Sequence, residues 1–239
     1  MLPAILRCFS FFKPRPNPSF FPGLVNANKT KLMQIYEHPF NVQLFNGALP
    51  PITFGRYLRD DYFYLHHFSS ALHVLSEQTI NVNLDLTEQL NSLANDIINS
   101  ELNMQLQYKV HLHNIRAHTA GDSITAYTDF LSKTVVHSEL AVGLSAVLPC
   151  FWSYYQLGII HRYSQDPDSN PYKEWIETYS SKEFIAATRN LANTVSLLGE
   201  QATPEIQEKM KEAFKIGVQF ELDFIDEIYT YENNMRLRA

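Results

Sequence analysis

The run Leu140–Ile160 is the most apolar helical stretch of this sequence, and it limits the folds that the chain can adopt. A helix that is apolar nearly all round has no face left for water, so the run predicts a core helix, at about residues 139–163. Ser145, Ser153 and Gln156 interrupt it, whereas a membrane span needs about 18 or more largely apolar residues in a row. The sequence therefore predicts a buried helix and no membrane partner.

Pro149 lies in the middle of this run, and Cys150 follows it directly. Proline has no N–H, so the carbonyl of Ser145 loses its helical partner, which predicts a kink or an opening of the helix. Tyr154 stands one turn after Cys150 on the same face, as a hydrogen-bond partner of a nucleophilic thiol would. Free cysteine is also among the most buried residue types, and burial alone makes it inert. On this stretch alone, the structural interpretation of Cys150 is the favoured one.

The composition and the periodicity favour long helices. The 239 residues include only 8 glycines, and turn clusters are widely spaced. Helical periodicity begins near residue 28 and covers most of the chain, without a segment that alternates as a strand does. The sequence predicts an all-α fold, a single domain of about eight or nine helices over residues 27–232. A loosely ordered, proline-rich extension is expected at 1–26 and a tail without a pattern at 233–239.

The charge balance and the cysteine pattern exclude several classes of protein. A formal net charge of −6 and a pI near 5.8 argue against a general affinity for nucleic acid. Cys8 and Cys150 are too far apart in the chain to suggest a disulfide framework or a metal site, which favours a reducing, cytoplasmic compartment. No Asp or Glu has a histidine three residues later, so the ligand pattern of a di-iron bundle is missing. The sequence predicts no metal and no cofactor.

Carboxylates interrupt the apolar stripes of two predicted helices. Asp61 lies in an aromatic stripe of the helix predicted from Pro51 to about Gln78, and Glu221 lies in the stripe of the last helix. A buried, unpaired carboxylate is costly, so each of them needs partners or a raised pKa. If these two helix faces converge with Cys150, the three groups form a site capable of catalysis. The alternative is a structural hydrogen-bond network with the tyrosines, and the pattern is compatible with both.

Two further acids have less definite positions. Asp60 points about 100° away from Asp61 around the helix, which is typical of a solvated charge. Glu101 interrupts the apolar stripe of a helix predicted over about residues 85–115. Its polar neighbours make a surface or interface position equally compatible.

A joint pattern extends over most of the chain, from about Lys31 to Tyr231. Its segments are His38–Phe40 with Gly47–Pro50, Tyr57–Leu65, Leu148–Tyr154, Tyr172–Tyr179 and Glu221–Phe224. In their order and spacing they resemble the TenA family, the thiaminase II (aminopyrimidine aminohydrolase) enzymes. The resemblance implies a haem-oxygenase-like helical bundle, a homotetramer, and a small aminopyrimidine or thiamin as the ligand.

The same resemblance implies a role for each of seven residues. Cys150 corresponds to the nucleophile, and Glu221 to the acid beside the leaving group. Asp61 corresponds to the carboxylate that holds the ring nitrogen and the exocyclic amine of the pyrimidine. Four aromatic residues correspond to those that pack by the ring, support the thiol or line the pocket: Tyr64, Tyr127, Tyr154 and Tyr179.

The implied reaction is the hydrolysis of 4-amino-5-aminomethyl-2-methylpyrimidine, and of thiamin, to the 5-hydroxymethyl pyrimidine in thiamin salvage. The alternative is a non-catalytic protein of the same fold that binds thiamin-like pyrimidines or regulates their use. The sequence departs from the family at two positions. Asp60 replaces a frequent Gln, which leaves open whether it shares the role of Asp61, and Ile225 stands where many members have Trp.

Overall fold

The computed structural model describes residues 19–101, 119–160 and 169–236. Within these residues the chain forms ten α-helices, one π-helical segment and no strand, which confirms the prediction of an all-α, single-domain fold. The α-helices, in chain order, are α1 (Phe20–Ala27), α2 (Lys29–Tyr36), α3 (Pro39–Phe45), α4 (Pro51–Glu77), α5 (Leu84–Asp96), α6 (Asp122–His137), α7 (Leu140–Ile160), α8 (Lys173–Ser180), α9 (Lys182–Gln201) and α10 (Pro204–Arg236). The π-helical segment, Ile97–Glu101, continues α5.

Short-range chemistry explains where several helices begin. Pro39 and Pro51 occupy the first turns of α3 and α4, where a missing N–H costs nothing. The Asn83 side chain accepts a hydrogen bond from the Leu86 N–H at 3.1 Å and so caps α5. The Ser181 hydroxyl caps α9 in the same way, accepting from the Phe184 N–H at 3.1 Å.

The two ends of the predicted domain differ from the expectation. Residues 20–26 were expected to belong to a loose extension, and this is wrong because they form most of α1. Phe21 and Leu24 are buried, and the Phe21 N–H donates to Ser196 Oγ at 3.0 Å. At the other end, α10 continues to Arg236, beyond the predicted start of the tail. The remainder of the predicted extension, residues 1–18, and residues 237–239 lie outside the described residues.

Helix α7 forms the centre of the core, with α6, α8, α9 and α10 packed against it. Among the described helices it alone is long and apolar enough to cross a membrane, but 78% of its apolar window is buried against the rest of the chain. It is therefore the predicted core helix. An opening at Pro149 is wrong, since α7 is a continuous α-helix across this residue, and the alternative of a kink stays a prediction.

A close approach between α7 and α10 explains how the proline is accommodated. A Cβ added at Gly217 of α10 would lie 2.6 Å from Cγ of Pro149 and 3.1 Å from the Ala146 carbonyl oxygen. The proline ring therefore occupies the space that a side chain at residue 217 would need. A glycine here lets the two helices approach closely enough to bring Glu221, one turn further along α10, towards Cys150.

Replacing Gly217 with alanine is expected to lower the free energy of unfolding by about 1–3 kcal/mol, because a rigid ring and a backbone oxygen fill the site. Gly23→Ala is the matched control, since nothing lies within 4 Å of a Cβ at that helical position. This control is expected to be neutral or to stabilise by up to about 1 kcal/mol, through helix propensity. Chemical denaturation of both variants measures the difference, and equal effects would contradict the packing argument.

Candidate active site

The structure buries all seven side chains predicted from the sequence in one region of the core. They come from five helices: Asp61 and Tyr64 from α4, Tyr127 from α6, Cys150 and Tyr154 from α7, Tyr179 from α8, and Glu221 from α10. The carboxyls of Asp61 and Glu221 both act on the pKa of the Cys150 thiol, which places the three groups near one another. The helix faces on which these residues lie therefore converge.

Glu221 and Tyr127 form the best-defined pair of the site. Tyr127 Oη donates a hydrogen bond to Glu221 Oε1 at 2.9 Å. The Tyr127 ring is held between Phe220, with ring centres 5.1 Å apart, and Tyr64, at 5.0 Å. Burial raises the pKa of Glu221 to about 7, and the bond from Tyr127 offsets part of the rise. This carboxyl can therefore both donate and accept a proton near neutrality.

The Cys150 thiol is buried, and its surroundings disfavour the thiolate. Burial raises its pKa well above the ordinary value, and the charge of Glu221 adds to the rise. The nearby Tyr64 hydroxyl acts in the opposite direction. Within the described residues this hydroxyl makes no well-formed hydrogen bond, so it is free to donate to sulfur as negative charge develops. A thiol in this setting reacts only when a neighbouring base accepts its proton.

Asp61 has a partner that the sequence analysis missed. Tyr57 lies one turn earlier on α4, hydrogen-bonds to the Asp61 carboxyl, and has its Oη 3.1 Å from Tyr154 Oη. Burial raises the pKa of Asp61 well above its ordinary value, and the charges of Glu101 and Glu221 raise it further. Tyr57 could have been identified from its position four residues before Asp61, on the same helix face.

Asp60 is not a solvated charge as expected, because only 1% of its surface is exposed. Its Oδ2 lies 3.1 Å from the position of a Cβ at Gly121, at the start of α6. Glu227 occupies the same corner and accepts a hydrogen bond from the Ser123 N–H at 2.8 Å. Asp60 therefore faces the junction of α4, α6 and α10, while Asp61 faces the thiol.

Glu101 is the second residue of this region that the sequence analysis did not assign to a site. Tyr179 Oη donates to Glu101 Oε2 at 2.8 Å, which connects the π-helical segment to α8. Burial raises the pKa of Glu101 to about 7, and the bond from Tyr179 offsets part of the rise. The signal was visible in the sequence as a carboxylate within an apolar stripe, but its partner lies 78 residues away along the chain.

A narrow cavity of about 10 Å³ lies beside Glu221, with Tyr154 and Trp175 among its lining residues. Ser153 also lines it, and its buried hydroxyl has no hydrogen-bond partner among the described residues. An unsatisfied polar group at a cavity is typical of a ligand site. A cavity of this size cannot hold a ring-shaped ligand without movement of the lining side chains. No group of three His, Cys, Asp or Glu side chains in the described part of the chain is arranged to hold a metal ion.

Comparison with known proteins shows the relatives of this chain. The model of the TENA/THI-4/PQQC family matches residues 27–231. The chain is 28% identical to the aminopyrimidine aminohydrolase of Bacillus subtilis strain 168, over 82% of this chain and 84% of the relative. It is 30% identical to the thiamine biosynthesis multifunctional protein ThiED of Corynebacterium glutamicum, over 90% of this chain but only 28% of that protein's length. The TenA homologue of P. horikoshii OT3 superposes with a TM-score of 0.77 at 27% identity, over 88% of this chain and 98% of the homologue.

Proposed function

Since the chain belongs to the TENA/THI-4/PQQC family, we propose that it is an aminopyrimidine aminohydrolase, which converts 4-amino-5-aminomethyl-2-methylpyrimidine, and thiamin, to the 5-hydroxymethyl pyrimidine by covalent catalysis. Its similarity to these relatives supports a role as an enzyme of thiamin metabolism that hydrolyses carbon–nitrogen bonds. The observation that supports the substrate and the mechanism is the grouping of the buried Cys150 thiol with the carboxyls of Asp61 and Glu221.

Asp61 is the proposed holder of the pyrimidine ring. In the free site its pKa is raised by burial, so the neutral acid is favoured. A bound aminopyrimidine can take up that proton at a ring nitrogen, which leaves a paired amidinium and carboxylate joined by charge-assisted hydrogen bonds. The Tyr57 hydroxyl, which already hydrogen-bonds to Asp61, stabilises the carboxylate in this state.

Cys150 is the proposed nucleophile, with Glu221 as its proton acceptor. Sγ forms a bond to the ring carbon next to the substituted position, the thiol proton passes to Glu221, and the ring loses its aromaticity. The amine then leaves the 5-methylene carbon and carries away the proton from Glu221. Water adds to that carbon and gives a proton to Glu221, and expulsion of the thiolate restores the aromatic ring. Tyr64, beside the sulfur, donates to the thiolate whenever it forms.

Turnover of the 5-aminomethyl pyrimidine tests this proposal directly. We expect ammonia and the 5-hydroxymethyl pyrimidine to appear in equal amounts, which enzymatic ammonia detection and chromatography measure together. The buried, protonated state of the Cys150 thiol also suits the alternative of a non-catalytic pyrimidine-binding protein. Binding of either pyrimidine without release of ammonia would favour that alternative.

Asp61→Asn is expected to weaken pyrimidine binding by about 1.5–3 kcal/mol, the range for a hydrogen bond to a charged group. The amide cannot supply the negative charge that pairs with a protonated ring. Asp60→Asn is the matched control, and a much smaller loss is expected because this residue faces the Gly121 corner. Calorimetry of the 5-hydroxymethyl pyrimidine with both variants measures the losses, after circular dichroism has shown that each is folded. A larger loss at Asp60 would contradict the assignment.

A further inference from the structure

Ser153 and Trp175 line the small cavity beside Glu221, yet the steps above use neither of them. Only 1% of the surface of each residue is exposed. Ser153 Oγ and Trp175 Nε1 are both enclosed, and within the described part of the chain neither makes a well-formed hydrogen bond. The Trp175 N–H also approaches Tyr57 and offsets part of the rise in the pKa of that phenol, so Ser153 is the clearer case. An enclosed polar atom without a partner is costly, so a buried hydroxyl of this kind is expected to bind one.

The size and the polarity of the cavity match a single water molecule. Its volume is about 10 Å³, close to the least that a water needs. Cavities with purely apolar walls stay dry, whereas a water is retained where two to four polar groups can bind it. The walls here include the Ser153 hydroxyl, the Trp175 N–H and the Glu221 carboxyl, and one water can hydrogen-bond to all three.

The cavity also lies close to the thiol. Ser153 and Tyr154 follow Cys150 by three and four residues on α7, so their side chains flank the Cys150 face one turn further along the helix. Glu221 lines the cavity and also acts on the pKa of the Cys150 thiol. A water in this cavity is therefore beside the carboxyl that takes a proton from water in the proposed reaction.

We propose that Ser153 is a positioning residue which, together with Trp175, holds the hydrolytic water against Glu221, and that the small cavity restricts the incoming nucleophile to water. The inference rests on the proposed function, because it concerns the water-addition step of that reaction. In this step the water oxygen bonds to the 5-methylene carbon, one water proton passes to Glu221, and the electron pair of the exocyclic double bond moves into the ring. The C–S bond then breaks with its electron pair on sulfur, and the proton on Glu221 passes to the thiolate. Ser153 accepts a hydrogen bond from the other O–H of the water throughout its addition.

Turnover of the aminomethyl pyrimidine in water–methanol mixtures tests the proposal. The ratio of 5-methoxymethyl to 5-hydroxymethyl product measures which nucleophile reaches the 5-methylene carbon. The parent protein is expected to form almost only the hydroxymethyl compound, because methanol exceeds the volume of the cavity. At a fixed methanol concentration, Ser153→Ala is expected to raise the ratio about fivefold to tenfold and to change KM less than about twofold. An unchanged ratio would overturn the inference.

Thr188→Val is the matched control for the loss of a buried hydroxyl. Thr188 of α9 is fully buried, and its Oγ1 likewise has no hydrogen-bond partner among the described residues, but it does not line this cavity. The substitution keeps the shape of the side chain, so the product ratio is expected to equal that of the parent protein. Circular dichroism shows that both variants are folded. A rise in the ratio as large as that of Ser153→Ala would remove the special role of Ser153.

A crystal structure of the protein provides a readout that needs no turnover. We expect one ordered water within hydrogen-bonding distance of both Ser153 Oγ and the Glu221 carboxyl, and its loss or displacement in Ser153→Ala. A cavity without water in the parent crystal, or a water that does not reach Glu221, would overturn the inference. If the parent protein forms no hydroxymethyl pyrimidine, the proposed function fails, and the two crystal structures alone decide whether Ser153 and Glu221 share a water.

Discussion

Replacing Cys150 with alanine is expected to lower kcat for the 5-aminomethyl pyrimidine by more than about a thousandfold, because the covalent route disappears with the nucleophile. Binding of the 5-hydroxymethyl product is expected to stay within about threefold, since Asp61 and the aromatic residues remain in place. The side chain is small and the change removes only one sulfur atom, so the fold is expected to persist. Steady-state kinetics and calorimetry on the same preparation measure both quantities.

The second cysteine provides the control for this experiment. Cys8 lies far from Cys150 in the sequence, in the proline-rich extension. Cys8→Ser is expected to retain full activity, and the product should protect Cys150 but not Cys8 against alkylation. A Cys150→Ala variant that keeps more than a few per cent of the activity would show that this thiol is not the covalent catalyst.

Replacing Glu221 with glutamine is expected to lower kcat for the aminomethyl substrate by roughly 10²–10⁴-fold, the usual contribution of a general acid or base. The substitution keeps the size of the side chain and an acceptor for Tyr127, so substrate binding should change much less. Thiamin is expected to lose less activity, because its thiazole leaves without needing a proton. Measuring kcat and KM for both substrates gives the comparison.

The pH dependence of kcat/KM is expected to follow the ionisation of Glu221. Its pKa is raised to about 7, and the ionised form that accepts the thiol proton is therefore present above that pH and is lost below it. We expect kcat/KM of the parent protein to fall on the acidic side with that pKa, and Glu221→Gln to lack this limb. Equal losses on both substrates, with an unchanged profile, would mean that Glu221 only positions the ligand.

Tyr127→Phe is the matched variant for that profile. The hydroxyl of Tyr127 donates to Glu221 at 2.9 Å and thereby lowers the pKa of this carboxyl. Without this bond the pKa rises further, so the acidic limb is expected to move to higher pH. A limb that stays in place would assign the titration to another group.

Much of the fold and part of the site could be predicted from single helices. The apolar run around Cys150 predicted the core helix, because a helix that is apolar on every face is buried whichever helices pack against it. Asp61 and Glu221 could be identified as candidate site residues because helical periodicity shows which residues share a face. A carboxylate on an apolar face is costly unless it has a partner or a function. The family resemblance then assigned the tyrosines, and the structure places them in the same buried region.

Asp60 and Glu101, which were misplaced or not assigned to the site, both depend on contacts between helices. Asp60 is buried because α6 and α10 meet over it, although its position on α4 is typical of a solvated charge. Glu101 acquires Tyr179 as its partner only when the π-helical segment meets α8. Periodicity along one helix carries no information about such a meeting, because helix packing depends on side chains from both partners.

The sequence by itself determined most of the helices and identified Asp61, Glu221 and Cys150 as polar groups on their apolar faces. The tertiary structure alone decided which of these groups share a pocket and which charges they meet there. The physical reason lies in the range of the interactions. Helix formation and the direction of a side chain depend on neighbours within a turn or two, whereas the approach of Glu221 to Cys150 depends on a glycine at residue 217 that admits the ring of Pro149.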